Sequence, residues 1–556
     1  MPVTIPRILG LSLAGRLREW VNGQAQRSDG DRGQVALRLR VGISGHRQIG
    51  PHHPGIAGAV AEVLAAVMLK RASMSTDSTL VGLTVVSSLA EGADRVLANA
   101  ILDEDGQLEV VLPVEAADYI RDFGSDVSKA DFTDLLARAV AVDTVPRAES
   151  REHAYEAAGH AVVDRSDVMV VAWDGQPARG RGGTAEIYEY AEKSKKPVFW
   201  IRVDDDWAEL VIPDPAVSLV PLPPEALNHL DRYNRVKLRG AIFAGPSPLL
   251  PHQSDASLAA RPLVRHVSRY FIRADAVAKR CQRRWFWVTR LMYALAALAV
   301  LIVAAQILFA PRHEHYARYE FVTLVCVTAL FLVARFSPLH ERWISARYLA
   351  EQIRSVLFLG LAGVATPGDA ITSAGRPTDT VGESDWAERA VSEIWWSRPR
   401  NDPGDDVTGI REVLNSEWIL DQLCYHTRTS RKYKRRGERF NDAAIVLFTL
   451  SAVAALLHSL SKGSADTPTL HTVDYLSIVI PAVGAALSGY GAQRDYARHA
   501  ERSARFAVDL AEARDQLRNA QSLRDIQQVA LSVRRLMRGE ATDWYTAVRR
   551  QDVEPP

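Results

Sequence analysis

Cysteine is scarce: the 556 residues contain three, Cys281, Cys326 and Cys424, at no metal-ligand spacing. That excludes a disulfide scaffold and leaves no zinc or other metal site to expect, and it fits a reducing cytoplasm. Net charge is nearly absent as well, +1 from 67 basic and 66 acidic residues, which argues against a chain-wide nucleic-acid surface. The N-terminal apolar run is too short, and its first arginine too early, for a signal peptide. Residues 1–34 are expected to form a loose or amphipathic leader. Acidic side chains are missing from every long apolar run, so a proton relay or coupled transporter is not expected.

What is present begins with short apolar runs alternating with helical spacing. Leu37 to Ser44, Thr79 to Ser87, Leu108 to Pro113, Val168 to Trp173 and Pro197 to Val203 read as strands, with helical stretches such as Ile56 to Leu69 and Arg95 to Leu102 between them. That order predicts βαβ units and a parallel sheet covered on both faces. Ligands of such sheets bind beyond the carboxyl ends of the strands.

Three of those ends carry polar, small-residue turns: Ser44-Gly45-His46-Arg47, Ser87 to Asp94 (SSLAEGAD), and Trp173 to Glu186 (WDGQPARGRGGTAE). In the last, Gly183-Thr184-Ala185-Glu186 opens a helix whose first N–H groups lack internal partners and whose dipole favours an anion. Glycines let backbone approach a ligand, and Arg179 and Arg181 suit a phosphate. His46 suits a ligand contact or a simple turn cap. Arg151, His153 and Tyr155 read as a solvated helix face or as a lid.

These motifs, GISGHR, SLAEGADR and WDG…GRGGTAE, resemble the SLOG superfamily, Rossmann-like domains related to the DNA-processing protein DprA and to the LOG phosphoribohydrolases. The resemblance covers roughly Val35 to Asp204 and implies a nucleotide-derived ligand, with no cofactor. Gly45, His46 and Arg47 would line one wall, and Ser87, Glu91, Gly92 and Asp94 another. Asp174, Gly182, Gly183, Thr184 and Glu186 would form a phosphate cradle. Leu89, Gly175, Arg179 and Arg181 complete the candidate set. The hydrolase branch carries PGGxGTxxE, with its catalytic Glu three residues after the Thr. Here that place is Ile187, and Glu186 is one residue early, a rotation of about 100° on a helix. The reading is therefore a sensor without catalytic residues. The alternative is a membrane-tethered nucleotide or N-glycosidic hydrolase using Arg47 and Glu186, and a third reading is a partner-recruiting scaffold.

Residues 205–265 read as a Pro-rich connector packed on the first domain. Beyond it, Leu291 to Ala310, Phe321 to Ala334, Ala443 to Leu457 and Tyr475 to Gln493 form two apolar hairpins, with a soluble bundle as the rival reading. Basic residues flank them on one side: Lys279, Arg280, Arg283 and Arg284 before the first, Arg428 to Arg439 before the third, and Arg335 and Arg494 after the second and fourth. By the positive-inside rule both termini lie in the cytoplasm. The basic runs lack the aromatic platform of an RNA site, so lipid headgroups are their expected partner and nucleic acid is not. The hairpins repeat: Tyr270, Arg273, Lys279, Arg280, Arg284 and Trp285 align with Tyr425, Arg428, Lys434, Arg435, Arg439 and Phe440.

This doubled pattern resembles the SLATT family of two-transmembrane domains, taken to supply pore-forming effectors in bacterial conflict systems. The expected organisation is a leader (1–34), a SLOG-like α/β domain (35–204), the connector (205–265), a first two-span unit (266–375), a linker (376–415) and a second two-span unit with C-terminal helices (416–556). The expected protein is a homo-oligomeric effector of the bacterial inner membrane that senses a nucleotide second messenger, in antiviral defence.

Overall fold

The structure, a computed structural model, describes residues 32–50, 52–145, 148–177, 181–211, 224–252, 258, 261–309, 315–364, 385–399, 406–460 and 468–549. Nearly all of the leader and Arg179 lie outside these residues. The chain forms two compact units. One comprises Met1–Gly245, Arg261–Arg273 and Val364–Asn401, the other Pro246–Ala260, Ala274–Gly363 and Asp402–Pro556.

The first unit is an α/β domain. Its strands are β1 (Leu37–Gly45), β2 (Val81–Ser87), β3 (Gln107–Leu112), β4 (Ala141–Thr144), β5 (Val168–Trp173), β6 (Val198–Val203) and β7 (Ala208–Val211). Between them run α1 (Ile56–Met74), α2 (Ala93–Asp103), a one-turn helix at Ala116–Tyr119, α3 (Asp126–Arg138), α4 (Arg151–Arg165) and α5 (Thr184–Lys193). The strand order is β4-β3-β2-β1-β5-β6-β7. All neighbouring pairs are parallel except β6 with β7. The uninterrupted apolar runs explain the placement: every residue of β5 from Val168 to Ala172 is fully buried, as a strand covered on both faces must be. β4 and β7 go beyond the strands predicted from sequence. β4 is short and half polar, and β7 alternates exposed with half-buried positions.

Within the stretch expected as a connector, α6 (Pro224–Asn234) is anchored to the sheet. Its Asn234 side chain donates to the Val35 carbonyl and accepts from the Val35 N–H, closing both ends of one amide. The stretch expected as a linker also contains a helix, α10 (Asp385–Trp396), which belongs to the sheet unit. Trp386 and Trp395 are buried, and Arg389 and Glu393 reach the amino ends of the strands. Arg40 of β1 sits between Glu109 (3.2 Å) and Glu393 (2.8 Å), and Arg389 binds Asp167 (2.7 Å) and Glu393 (3.0 Å). Arg38 adds a third guanidinium to Glu393 at 3.3 Å. Burial alone would push the Glu393 carboxyl up, but Arg40, Arg389 and Arg38 outweigh it and hold it at about 2.

The second unit is all-helical. It takes in α7 (Pro262–Phe309) from Ala274 onward, α8 (His315–Phe336), α9 (Leu339–Leu361), α11 (Val407–Val413), α12 (Asp421–Leu460), α13 (Pro468–Arg494), α14 (Tyr496–Asn519) and α15 (Leu523–Arg549). Among the described residues, four helices are long and apolar enough to cross a membrane, which marks the chain as a multi-pass membrane protein. The predicted apolar runs fall in α7, α8, α12 and α13. Their large side chains point outward: Phe321 and Val322 on α8 and Ile445, Val446 and Phe448 on α12 are all more than half exposed. Such a surface is costly in water and suits lipid. At the span ends Arg290 donates to the Tyr490 hydroxyl (3.1 Å), and Arg494 lies 3.7 Å from the centre of the Phe286 ring. Gly489 of α13 allows close approach of the Tyr293 ring, from which a Cβ would lie 3.1 Å, while Gly484 and Gly491 stand in ordinary contact distance of Leu447 and Phe440. Two glutamates that follow the hairpins, Glu351 of α9 and Glu501 of α14, differ in their surroundings. Glu351 is enclosed by Arg347 (2.6 Å) and Arg354 (3.3 Å), whereas Glu501 meets Arg505 in an exposed contact at 3.7 Å.

Candidate functional site

Outward from β1 the chain fills positions β2, β3 and β4 on one side, then returns to place β5 on the other. The reversal between β1 and β5 is the topological switch point, where sheets of this kind open a crevice. A cleft of about 270 Å³ lies there, lined by residues that follow β1, β2 and β5. The three polar turns picked out from sequence, far apart in the chain, meet in it.

From the β1 turn, Gly45, His46 and Arg47 line the cleft. A Cβ at Gly45 would come within 2.6 Å of the Ala93 side chain and 3.0 Å of Ala172, so only glycine lets α2 and β5 approach β1 this closely. His46 is fixed by its N–H to the Ala172 carbonyl (3.1 Å) and by Nε2 against the Asp174 carboxylate (3.1 Å). Asp174 thus holds His46. The Arg47 guanidinium lies 5.8 Å from the centre of the Tyr155 ring.

From the β2 turn, Asp94 lines the cleft, and the other candidates build the loop that carries it. The Ser87 hydroxyl donates to Asp94 Oδ2 (3.0 Å) and accepts the Leu89 N–H (2.9 Å). Leu89 is fully buried with φ 55°, in the left-handed region. Gly92, with φ 89°, passes so close to the His46 and Arg47 carbonyls that a Cβ would sit 2.4 Å from the first. Glu91 turns away, accepting from Ser128 Oγ (2.5 Å) and the Gly124 N–H (3.3 Å). Burial pushes the Asp94 carboxyl up to about 7, against the lowering effect of Ser87, of the Ala90 and Gly45 N–H groups and of Arg95.

From the β5 turn, Arg181, Gly182, Gly183 and Thr184 line the cleft. Gly183 is the N-cap of α5 and has no side-chain cap, so the first N–H groups of the helix face the cleft unclaimed by a cap. Gly175 and Gly182 take φ 82° and 77°, and a Cβ at Gly182 would lie 2.7 Å from the Glu156 backbone nitrogen. Arg181 is held by Glu156 (2.8 Å) and by His153 (2.7 Å), which in turn meets Ser150 Oγ at 2.7 Å. The Glu186 carboxylate accepts the Gly182 N–H (2.7 Å) and shapes the loop rather than lining the cleft. Glu156, His160 and Glu186 bring three ligating atoms within 4.8 Å of one another. Arg181 and the Gly182 N–H already engage the two carboxylates.

The cleft also has an aromatic wall, of which sequence reasoning missed Tyr119. Tyr119, Tyr155 and Trp173 line the cleft. The Tyr155 hydroxyl donates to Asp122, which also binds Arg151 at 2.6 Å. Arg151, His153 and Tyr155 therefore belong to the rim of the cleft, Tyr155 by direct lining and the others through Asp122 and Arg181. The available signal was the helical spacing of Arg151 and Tyr155, one turn apart; nothing local points to Tyr119. Altogether the cleft offers uncapped N–H groups and two guanidinium groups, an aromatic wall, and one buried carboxyl. It is chemically suited to an anion joined to a flat ring.

No protein-family model and no curated protein matches the chain.

Proposed function

We propose that the sheet unit is a SLOG-type sensor of a nucleotide-derived second messenger. The helical unit is its SLATT-type effector, which forms a pore or otherwise disrupts the bacterial inner membrane in antiviral defence. One observation carries the reading: three polar turns from distant parts of the chain converge on a single switch-point cleft with arginines and an uncapped helix N-terminus. Binding is favoured over hydrolysis because Glu186, the acid nearest to the hydrolase motif, is taken up by the Gly182 N–H. The LOG-type hydrolase remains the second reading, and its best support is the cleft-lining Asp94 with its raised carboxyl.

In this reading both termini are cytoplasmic, and the chain acts as a homo-oligomer, since four spans in one copy make a poor channel. A ligand gates the assembly only if it binds the open arrangement more tightly than the closed one. The test uses the full-length protein in liposomes loaded with a fluorescent dye and exposed to cyclic and linear nucleotides. Dye release with the nucleotide recovered intact supports the sensor and names its signal. Release or silence with the nucleotide cleaved moves the hydrolase to first place. Silence with no binding by thermal shift sinks both.

A further inference from the structure

Asp94 is an unusual group to find in an anion-binding cleft. A carboxylate repels a phosphate, so its presence constrains how a nucleotide could lie there. It stands in the first turn of α2, just past β2, whereas the uncapped N-terminus of α5 follows β5. Those strands flank β1 on opposite sides, which places the two features about 10 Å apart across the sheet. The cleft is thus polarised, with its anion-accepting end at Gly182, Gly183, Thr184 and Arg181 and a hydrogen-bond-accepting end at Asp94.

The donors around Asp94 leave room for a ligand. An ionised carboxylate offers about four acceptor positions. The Ser87 hydroxyl takes one of them, at Oδ2 (3.0 Å), and the side chain still lines the cleft although Asp94 is only 4 % exposed. The volume, about 270 Å³, lies at the small end for ligand pockets and holds one nucleotide unit rather than several. With the phosphate on α5 and the base against Tyr155 or Trp173, the sugar is the part that spans toward Asp94.

Resting on the nucleotide-sensor reading, we propose that Asp94 accepts a hydrogen bond from a ribose hydroxyl, making the cleft selective for ribonucleotides with an unmodified diol. A deoxyribose leaves the buried carboxyl short of its partner, and a 2′- or 3′-phosphate brings a second anion against it. Both are rejected.

The experiment measures binding of AMP, GMP, CMP and UMP, their 2′-deoxy and 3′-deoxy counterparts and their 3′-phosphorylated forms to the full-length protein in nanodiscs. Wild type is expected to bind at least one ribonucleotide, and to lose at least tenfold when one ribose hydroxyl is removed or phosphorylated. In Asp94→Asn that ratio is expected to fall below about threefold. Inorganic phosphate, measured as a competitor, should bind Asp94→Asn as it binds wild type, because the α5 end is untouched. Equal binding of ribo- and deoxyribonucleotides by wild type overturns the inference and leaves the sensor standing. So does full discrimination by Asp94→Asn. A variant that loses phosphate along with every nucleotide shows Asp94 to be a loop-holding residue and likewise overturns it. Failure of every one of these mononucleotides to bind wild type overturns the inference, while the sensor reading then stands or falls on the cyclic and linear nucleotides of the liposome test.

Discussion

At the carboxyl ends of β1, β2 and β5 the chain leaves glycines at positive φ, arginines at the surface and helix N–H groups without caps. At the amino ends of the same sheet the ionic groups are sealed. Arg40, Glu109, Arg389 and Glu393 are all nearly or fully buried, each with an opposite charge within hydrogen-bond reach. Both ends are rich in charge, yet only one is organised to receive something. A buried network with every member satisfied rigidifies and specifies one arrangement. A half-open one stores unmet hydrogen-bonding capacity for a ligand. The contrast explains why α10, which the chain supplies from between its two hairpins, closes the amino ends, while no element closes the cleft among the described residues.

The largest expected effect lies at the sealed end. Glu393→Ala strips Arg40, Arg389 and Arg38 of a shared partner and leaves buried charge uncompensated, a loss of about 3–5 kcal/mol. Hydrogen exchange should show α10 and the amino half of β1 opening first. A change below 1 kcal/mol would mean that the network is solvated and that the two ends do not differ in kind.

Gly92→Ala comes next, at the open end. Its Cβ would meet the His46 and Arg47 carbonyls at 2.4 and 2.7 Å in a conformation that L residues avoid. Strain of about 1–3 kcal/mol is expected, together with at least tenfold weaker nucleotide binding, because the His46-Arg47 turn must move. Unchanged affinity in a folded protein would detach this turn from the site.

The two ends should also titrate in opposite senses. Glu393 has a carboxyl held at about 2, below its ordinary 4.5. Its contribution is complete above 4.5 and is lost as pH falls toward 2. Asp94 is raised from 3.8 to about 7. Its contribution is complete below 3.8 and is lost as pH rises through 7. Hydrogen exchange corrected for intrinsic rates should therefore find α10 loosening in acid and the β2–α2 turn loosening from acid toward neutrality. Asp94→Asn should abolish the second trend and leave the first. Parallel behaviour at both ends would refute the contrast.

Much of this was legible in the chain. β5 announced itself because a strand covered on both faces is apolar throughout, and the three turns because glycine marks close backbone approach. The sealed end was not legible. Leu37-Arg38-Leu39-Arg40 alternates as a strand with one solvated face does, yet Arg40 is 2 % exposed, since α10 covers it from more than 340 residues away. The signal that could have exposed this was the helix itself, Trp386 to Trp396, with apolar residues on one face and Arg389 and Glu393 one turn apart. Tyr119 was hidden for the same reason: its place in the cleft depends on a one-turn helix that only tertiary packing holds.

The smallest effect on stability tests the contrast most sharply. Arg47 is exposed, and its described contact is the Tyr155 ring at 5.8 Å, a geometry worth little outside a dry site. Arg47→Ala should therefore shift unfolding by no more than about 0.5 kcal/mol, as surface changes do. Its binding role is a separate matter, because a guanidinium facing an anion in a cleft is screened less than one on open surface. Nucleotide affinity should fall at least tenfold, and the loss should shrink when salt is raised for both proteins. Glu393→Ala should show the reverse pattern, with a large loss of stability and near-normal affinity wherever the sheet remains folded. If Arg47→Ala instead destabilises the domain, the open end is as structural as the sealed one, and the cleft loses its strongest claim to a ligand.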